Sequence, residues 1–337
     1  MVTTADQCLP PLPAMPLVSV VTSNLNHGRY LGETILSVLT QDYPALELVI
    51  VDGASTDHSL DILKRYTNDP RVRWISEADS GHMAAINKGL RLATGQVIGV
   101  CHSSDGYRPG AVREAVHAFL SDPLLAFIGG SILVVDMESR PTGELWSVPE
   151  REPFISLEEA LSFTAYPGIQ ASFLRRDLLA SIGGFHDDPS CHTNTFLHYF
   201  VEASRRGMRA RRMPRAWGTY RDHPDHGEAY RSIGRGLGPA RKRVLTCRRI
   251  ARHYEGYLTR AQVRLLLRSG YEWELHCRVT RHFQLIQAIP AFVLYLWFGG
   301  HLPSRKDVGN FLDSIWFVMK RKWAAMWRHA ALGISKG

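Results

Sequence analysis

Residues 95–110 read GQVIGVCHSSDGYRPG, an apolar run over 97–101 that ends in a polar loop whose only carboxylate is Asp105. A Pro-Gly pair then opens a helical pattern over 111–120. A buried strand that releases a lone acid at its carboxyl end, just before a helix, occupies the position where open α/β sheets bind ligands. The plainer alternative is a turn in which Asp105 only caps backbone groups. A second acid, Asp52, closes another apolar run, LELVIV at 46–51, in an Asp-Gly pair. It admits the same two readings, ligand contact or an Asx-type turn.

The segments around these acids alternate. Residues 17–22 (LVSVVT), 46–51, 72–75 and 97–101 have strand character. Helical spacing separates them at 30–41, around 60–66, and at 81–93. Short links between alternating elements imply a parallel sheet covered on both faces. Beyond Asp122 the order becomes mixed: strands at 126–135, 143–146 and 169–174, with helices at 157–163 and near 195–206. From about residue 227 onward the pattern is helical. The first strand is followed by neither Gly-x-Gly-x-x-Gly nor a Walker motif, which argues against a dinucleotide or P-loop site.

The 337 residues suffice for one large or two ordinary domains. Five widely spaced cysteines without a C-x-x-C pair suggest neither a disulfide framework nor a zinc site, and a reducing cytoplasm follows. The Pro-rich start has no basic and apolar leader pattern and reads as a loose arm. The net charge of +8 conceals a split, with 13 Lys and Arg against 23 Asp and Glu in residues 1–200, and 27 against 9 in residues 201–337. A basic end of this strength points to an anionic surface as partner.

Four stretches taken together resemble the family 2 glycosyltransferases. They are PLVSVVTSNLNHGRYLGETILSVLTQDYPALELVIVDGASTD, SEADSGHMAAINKGLRLATGQVIGVCHSSDGYRPGA, GIQASFLRRDLLASIGGF and TYRDHP, spread over about residues 16–223. The resemblance implies an α/β fold of the GT-A type, a single domain with a mostly parallel central sheet flanked by helices, plus a helical C-terminal extension. The expected boundaries are a flexible arm at 1–15, the GT-A-like domain at 16–225 and a basic helical region at 226–337. Within the domain, 16–122 would form the nucleotide half and 123–225 the acceptor half.

The implied activity is transfer of a sugar from a nucleotide-diphospho-sugar to a hydroxyl of a glycan or lipid-linked acceptor, with inversion, in bacterial-type surface polysaccharide or glycolipid assembly. Such chemistry must hold a diphosphate and neutralise the charge that develops as it leaves, commonly with a divalent metal, Mg or Mn. By position, Asp52 would contact the nucleobase, with Thr22 and Asn24 lining the nucleotide pocket. Asp105 would be the metal ligand, and Ser104 stands where a further acid is expected. Asn87 and Lys88 would flank the pocket, Lys88 toward phosphate or simply on a solvated helix face. The base that takes the acceptor proton has three candidates, His198, Asp187 and Asp188, because no acid lies between Asp188 and Glu202. For His198 a packing role in the helix competes with that one. A catalytically degenerate subunit that binds or scaffolds is the alternative for the whole chain.

Residues 288–300 are the most apolar run, too short to span a bilayer. After them Trp316, Trp323 and Trp327 recur on an apolar stripe flanked by Lys320, Arg321, Lys322 and Arg328. This is the pattern of a helix in the membrane interface, or of an amphipathic helix closing the core. With the basic charge, it suggests peripheral attachment to the inner face of the cell membrane, and no nucleic-acid module is recognised.

Overall fold

The computed structural model describes residues 9–146, 153–162, 168–185, 196–223 and 237–276. They fall into two compact units, parted near residue 227. The first unit is built on strands β1 (Val18–Asn24), β2 (Leu46–Asp52), β3 (Val72–Ser76) and β4 (Val97–Val100), interleaved with helices α1 (Gly28–Leu39), α2 (Ser59–Arg65) and α3 (His82–Leu92). Then follow β5 (Gly106–Tyr107), α4 (Ala111–Ser121), β6 (Leu125–Val135), β7 (Pro141–Trp146), β8 (Phe154–Ile155) and α5 (Leu157–Ser162). A 3-10 turn (Ile169–Ala171), β9 (Ser172–Arg175), α6 (Arg176–Ser181), α7 (Leu197–Arg205) and β10 (Arg209–Arg221) complete it.

All ten strands join one sheet, in the order β3-β2-β1-β4-β9-β6-β10-β5, with β7 added on β6 and β8 on β10. The expected parallel arrangement holds across β3-β2-β1-β4. Past β4 the sheet is mixed, because β9 runs antiparallel to both β4 and β6 while β10 returns parallel to β6. Alternate residues of the central strands feed two separate cores. Val18, Val20, Leu48, Ile50 and Val97 pack with α1, α2 and α4, whereas Val21, Val49, Ile98 and Val100 pack with α3, α6 and α7. Burial on both faces explains why these strands read as unbroken apolar runs.

Glycine permits the closest approaches. A Cβ on Gly89 would strike the Val21 side chain, so α3 lies directly on β1. One on Gly95 would come within 2.5 Å of the Leu17 carbonyl, which lets the chain enter β4 beside β1.

One sequence expectation is corrected: the expected strand at 169–174 begins as the 3-10 turn and pairs only from Ser172. Ahead of β1, Leu9 and Leu12 pack on the two cores, and the buried Arg175 donates to the Pro10 carbonyl at 2.5 Å.

The second unit, among the described residues, is a helical hairpin of α8 (Leu237–His253) and α9 (Arg260–His276). A left-handed Gly256 (φ +85°) helps turn the chain, and Thr259 and Gln262 exchange hydrogen bonds with each other's backbone N–H as a capping box for α9. The two helices meet where Gly270 lies against Cys247 and where Arg248 donates to the Tyr271 hydroxyl. No described helix is long and apolar enough to cross a membrane, and residues 288–327 lie outside the described residues.

Glu202 on α7 is buried and receives hydrogen bonds from Arg205 and Arg206 at 2.7–2.8 Å. Burial alone would raise its pKa, but these hydrogen bonds and charges prevail and hold it at about 2. Because the folded value lies below the unfolded one, the stabilisation is present above about pH 4.5 and is lost as the pH falls toward 2. Glu202→Gln should therefore lower stability by about 1–3 kcal/mol at pH 7. In chemical-denaturation midpoints that gap should narrow as the pH falls below about 4.5 and be mostly gone by about pH 2.

Candidate active site

Parallel strands end together, so the carboxyl ends of β1, β2, β3 and β4 deliver their following loops to one edge of the sheet. Asn24 and Asp52 are register partners there, as are Asp52 and Ser76. The fully buried Asp52 carboxylate accepts from Asn24 Nδ2 at 2.6 Å, Ser55 Oγ at 2.5 Å, Ser55 N at 2.9 Å and Ser76 Oγ at 2.7 Å. Four donors fill about as many lone-pair sites as a carboxylate offers. A parallel brace continues outward. Asn26, in a left-handed conformation (φ 55°), accepts the Thr56 N–H at 2.8 Å through Oδ1, and Asp57 accepts the N–H groups of Gly28 and Ser59. The sequence DGASTD is thus the staple that ties β2 to the loop after β1 and to the starts of α1 and α2.

The loop after β4 carries the second acid. Asp105 N–H donates to the His102 carbonyl in a tight turn, and the Asp105 carbonyl accepts from Thr34 of α1 at 2.7 Å. The Asp105 carboxylate is 4% exposed and accepts the backbone N–H of Arg221, at the end of β10, at 3.1 Å. Burial pushes its pKa up to about 7, and the Arg221 N–H and charge offset that only in part. Ser104 is buried beside it, its carbonyl accepting from Arg221 Nε at 3.0 Å.

Arg221 and the histidines His27, His82 and His223 are the residues that sequence reasoning missed. The Arg221 guanidinium also reaches Glu33 at 2.6 Å, Ser139 Oγ at 2.9 Å and the carbonyls of Asp136 and Met137, and it stacks 4.6 Å from the Tyr30 ring centroid. His27 pairs with Ser103 Oγ at 2.9 Å and sets its ring edge-on to His223, which also packs on Tyr30. His102 pairs with Ser23 and lies edge-on to His82. The ending TYRDHP was the available signal, since it holds both Arg221 and His223.

Of the residues read from sequence, Thr22, Asn24, Asp52, Ser104 and Asp105 are all buried at this edge. Thr22 Oγ1 and Asn24 Oδ1 are buried there without a hydrogen-bond partner. Two others have partners of their own. Asn87 brackets Phe185, donating to its carbonyl at 2.6 Å and accepting its N–H at 2.9 Å, so it fixes the Gly184–Phe185 turn. Lys88 pairs with Glu77 at 2.6 Å. His198 is buried on α7, in the layer that covers the sheet with α3 and α6. Asp187 and Asp188 lie outside the described residues.

Asp105 yields a testable sign. Its folded pKa lies above the ordinary 3.8, so the native state binds the proton more tightly and stability falls as the pH rises from about 4 to 7. In chelator-containing buffer, Asp105→Asn should stabilise the chain at pH 8 by up to about 4 kcal/mol. The gain should vanish near pH 4 in thermal-unfolding scans.

Comparison with known proteins places this geometry. The model for "Glycosyl transferase family 2" matches residues 19–180. The chondroitin synthase of Escherichia coli is 35% identical over 148 residues, 43% of this chain and 22% of that protein. The putative teichuronic acid biosynthesis glycosyltransferase TuaG of Bacillus subtilis is 31% identical over 151 residues, 44% of this chain and 58% of that protein. The chain thus spans less than two thirds of the length of these curated relatives. Among solved structures, S. aureus TarS 1–349 in complex with UDP-GlcNAc superposes with a TM-score of 0.52 at 18% identity, covering 86% of this chain and 93% of that one. Mannosyltransferase PcManGT from Pyrobaculum calidifontis, in complex with GDP-Man and Mn2+, gives 0.51 at 19% identity, covering 95% and 86%. The fold is that of the GT-A glycosyltransferases, and residues 19–180 are similar to glycosyl transferase family 2.

Proposed function

We propose that the chain transfers a sugar, with inversion, from a nucleotide-diphospho-sugar to a hydroxyl of a glycan or lipid-linked acceptor in bacterial-type surface polysaccharide or glycolipid assembly. One observation carries this reading: a buried acid, Asp105, stands at the carboxyl end of the parallel strands beside the Asn24–Asp52 cluster, within the stretch similar to family 2. Thr22 Oγ1 and Asn24 Oδ1 are the buried polar atoms there that a nucleoside can satisfy. Asp52, its lone pairs filled, holds Asn24 in place and would reach a base only by giving up one of its present donors.

Asp105 fits a divalent cation. It is a buried carboxylate that accepts one N–H and whose charge Arg221 offsets only in part, which leaves it an affinity for a cation. Among the described residues no three His, Cys, Asp or Glu side chains converge on a metal position, so the remaining ligands would be donor phosphate oxygens, as for Mg2+ in many phosphate sites. A bound cation would neutralise the charge developing on the departing diphosphate. Thr34 and Arg221 hold the Asp105 loop at the sheet edge, and the base is assigned to none of the described residues.

The missing second acid, Ser104 in its place, favours one other reading, a degenerate subunit that binds donor or partner without turnover. The basic C-terminal residues support attachment to an anionic membrane surface, which would place the chain peripherally on the cytoplasmic face.

Thermal-shift measurements with UDP-, GDP- and dTDP-sugars, with and without Mn2+, separate these readings. One nucleotide class should raise the Tm only with the metal present, and Asp105→Ala should abolish both that shift and sugar transfer. Stabilisation without any hydrolysis or transfer would favour the degenerate subunit, and no response to any donor would overturn the transferase.

A further inference from the structure

β7 is exposed along its whole length, yet it ends in Leu145 and Trp146, 48% and 42% exposed. As consecutive strand residues the two project to opposite faces of the sheet, so Trp146 stands with its own neighbours. The Trp146 ring lies 4.5 Å from that of Tyr220 at an interplanar angle of 34°, and its Nε1 donates to Glu144 at 2.6 Å. The indole is therefore fixed at its edge and on one face, with the rest of the ring left to solvent.

Its position relative to the candidate site is set by the chain itself. Tyr220 directly precedes Arg221, whose N–H holds Asp105. The turn at the head of the β6–β7 hairpin is clamped on the same Arg221, through the carbonyls of Asp136 and Met137 and through Ser139 Oγ. Both aromatic residues thus ride on elements tied to the donor-side acid.

We infer that Trp146 and Tyr220 form a stacking platform for a pyranose ring of the acceptor glycan, an inference that rests on the transferase reading above. The electron-rich face of an indole packs against the C–H face of a sugar ring, which is apolar and weakly positive. Glu144, two residues earlier and exposed on the same face, has a second carboxylate oxygen that a ring hydroxyl can donate to. Stacking of this kind accepts a range of sugars and fixes the plane of the ring, so the platform orients the acceptor without choosing its linkage.

The test uses the full chain, cellohexaose and a hyaluronan hexasaccharide as probes, and ligand-observed saturation-transfer NMR with tryptophan fluorescence. The unmodified protein should bind at least one probe. Trp146→Ala should weaken that binding roughly three- to tenfold, while Trp146→Phe retains most of it. The Tm shift given by a nucleotide sugar with Mn2+ should be the same in all three proteins, which shows that the variants fold. Equal affinity for saccharide in the unmodified protein and Trp146→Ala overturns the platform, and so does a donor response with no binding of either probe. A dimer in light scattering that Trp146→Ala dissociates also overturns it, assigning the face to a second copy of the chain. If no nucleotide sugar shifts the Tm of the unmodified protein, the transferase reading fails; Trp146-dependent saccharide binding would still support the platform.

Discussion

The buried guanidinium of Arg221 sets the geometry of the whole upper edge of the first unit. A cation taken out of water is tolerable only if each N–H finds an acceptor. Here the acceptors come from three separate places: the Ser104 carbonyl after β4, Glu33 on α1, and the carbonyls and Ser139 hydroxyl of the β6–β7 turn, with the Tyr30 ring beneath. The planar fork of arginine suits this divergent set, where a lysine ammonium would satisfy only part of it. Each loop is thereby located by a partner it shares with the others.

The two acids at this edge show how burial can lead to opposite outcomes. Asp52 is enclosed with four donors and serves as an internal staple. Asp105 is enclosed almost as fully but receives a single N–H among the described residues, and its pKa rises to about 7. A saturated carboxylate is architecture; an under-satisfied one retains affinity for a proton or a cation. The contrast lies in the surroundings, since one acid closes β2 and the other sits in the loop after β4, both at the same edge of the sheet.

The Asn87-Lys88-Gly89 motif shows the same division of labour at shorter range. Asn87 locks the Gly184–Phe185 turn across 98 residues, Lys88 pairs with Glu77, and Gly89 lets α3 settle on Val21. All three neighbours help to fix the helix that packs on β1.

Sequence alone determined the alternation of the first four strands and three helices, because burial on both sheet faces leaves continuous apolar runs and helical spacing leaves its own period. It also determined that Asp52 closes one strand and Asp105 follows another, and that these stretches resemble family 2, since DGASTD and the 95–110 stretch are local patterns. It was silent on β10. The sequence RARRMPRAWGTYR carries five arginines and a proline, so it reads as polar, yet pairing with β6 buries much of it. The partners of Asn87, Lys88 and Arg221 were equally invisible, because they lie between 11 and 188 residues away and side-chain hydrogen bonds follow proximity in space. Tertiary structure decided which acid is saturated, which is available, and which cation holds the loops, because each depends on desolvation and on donors supplied by distant parts of the chain.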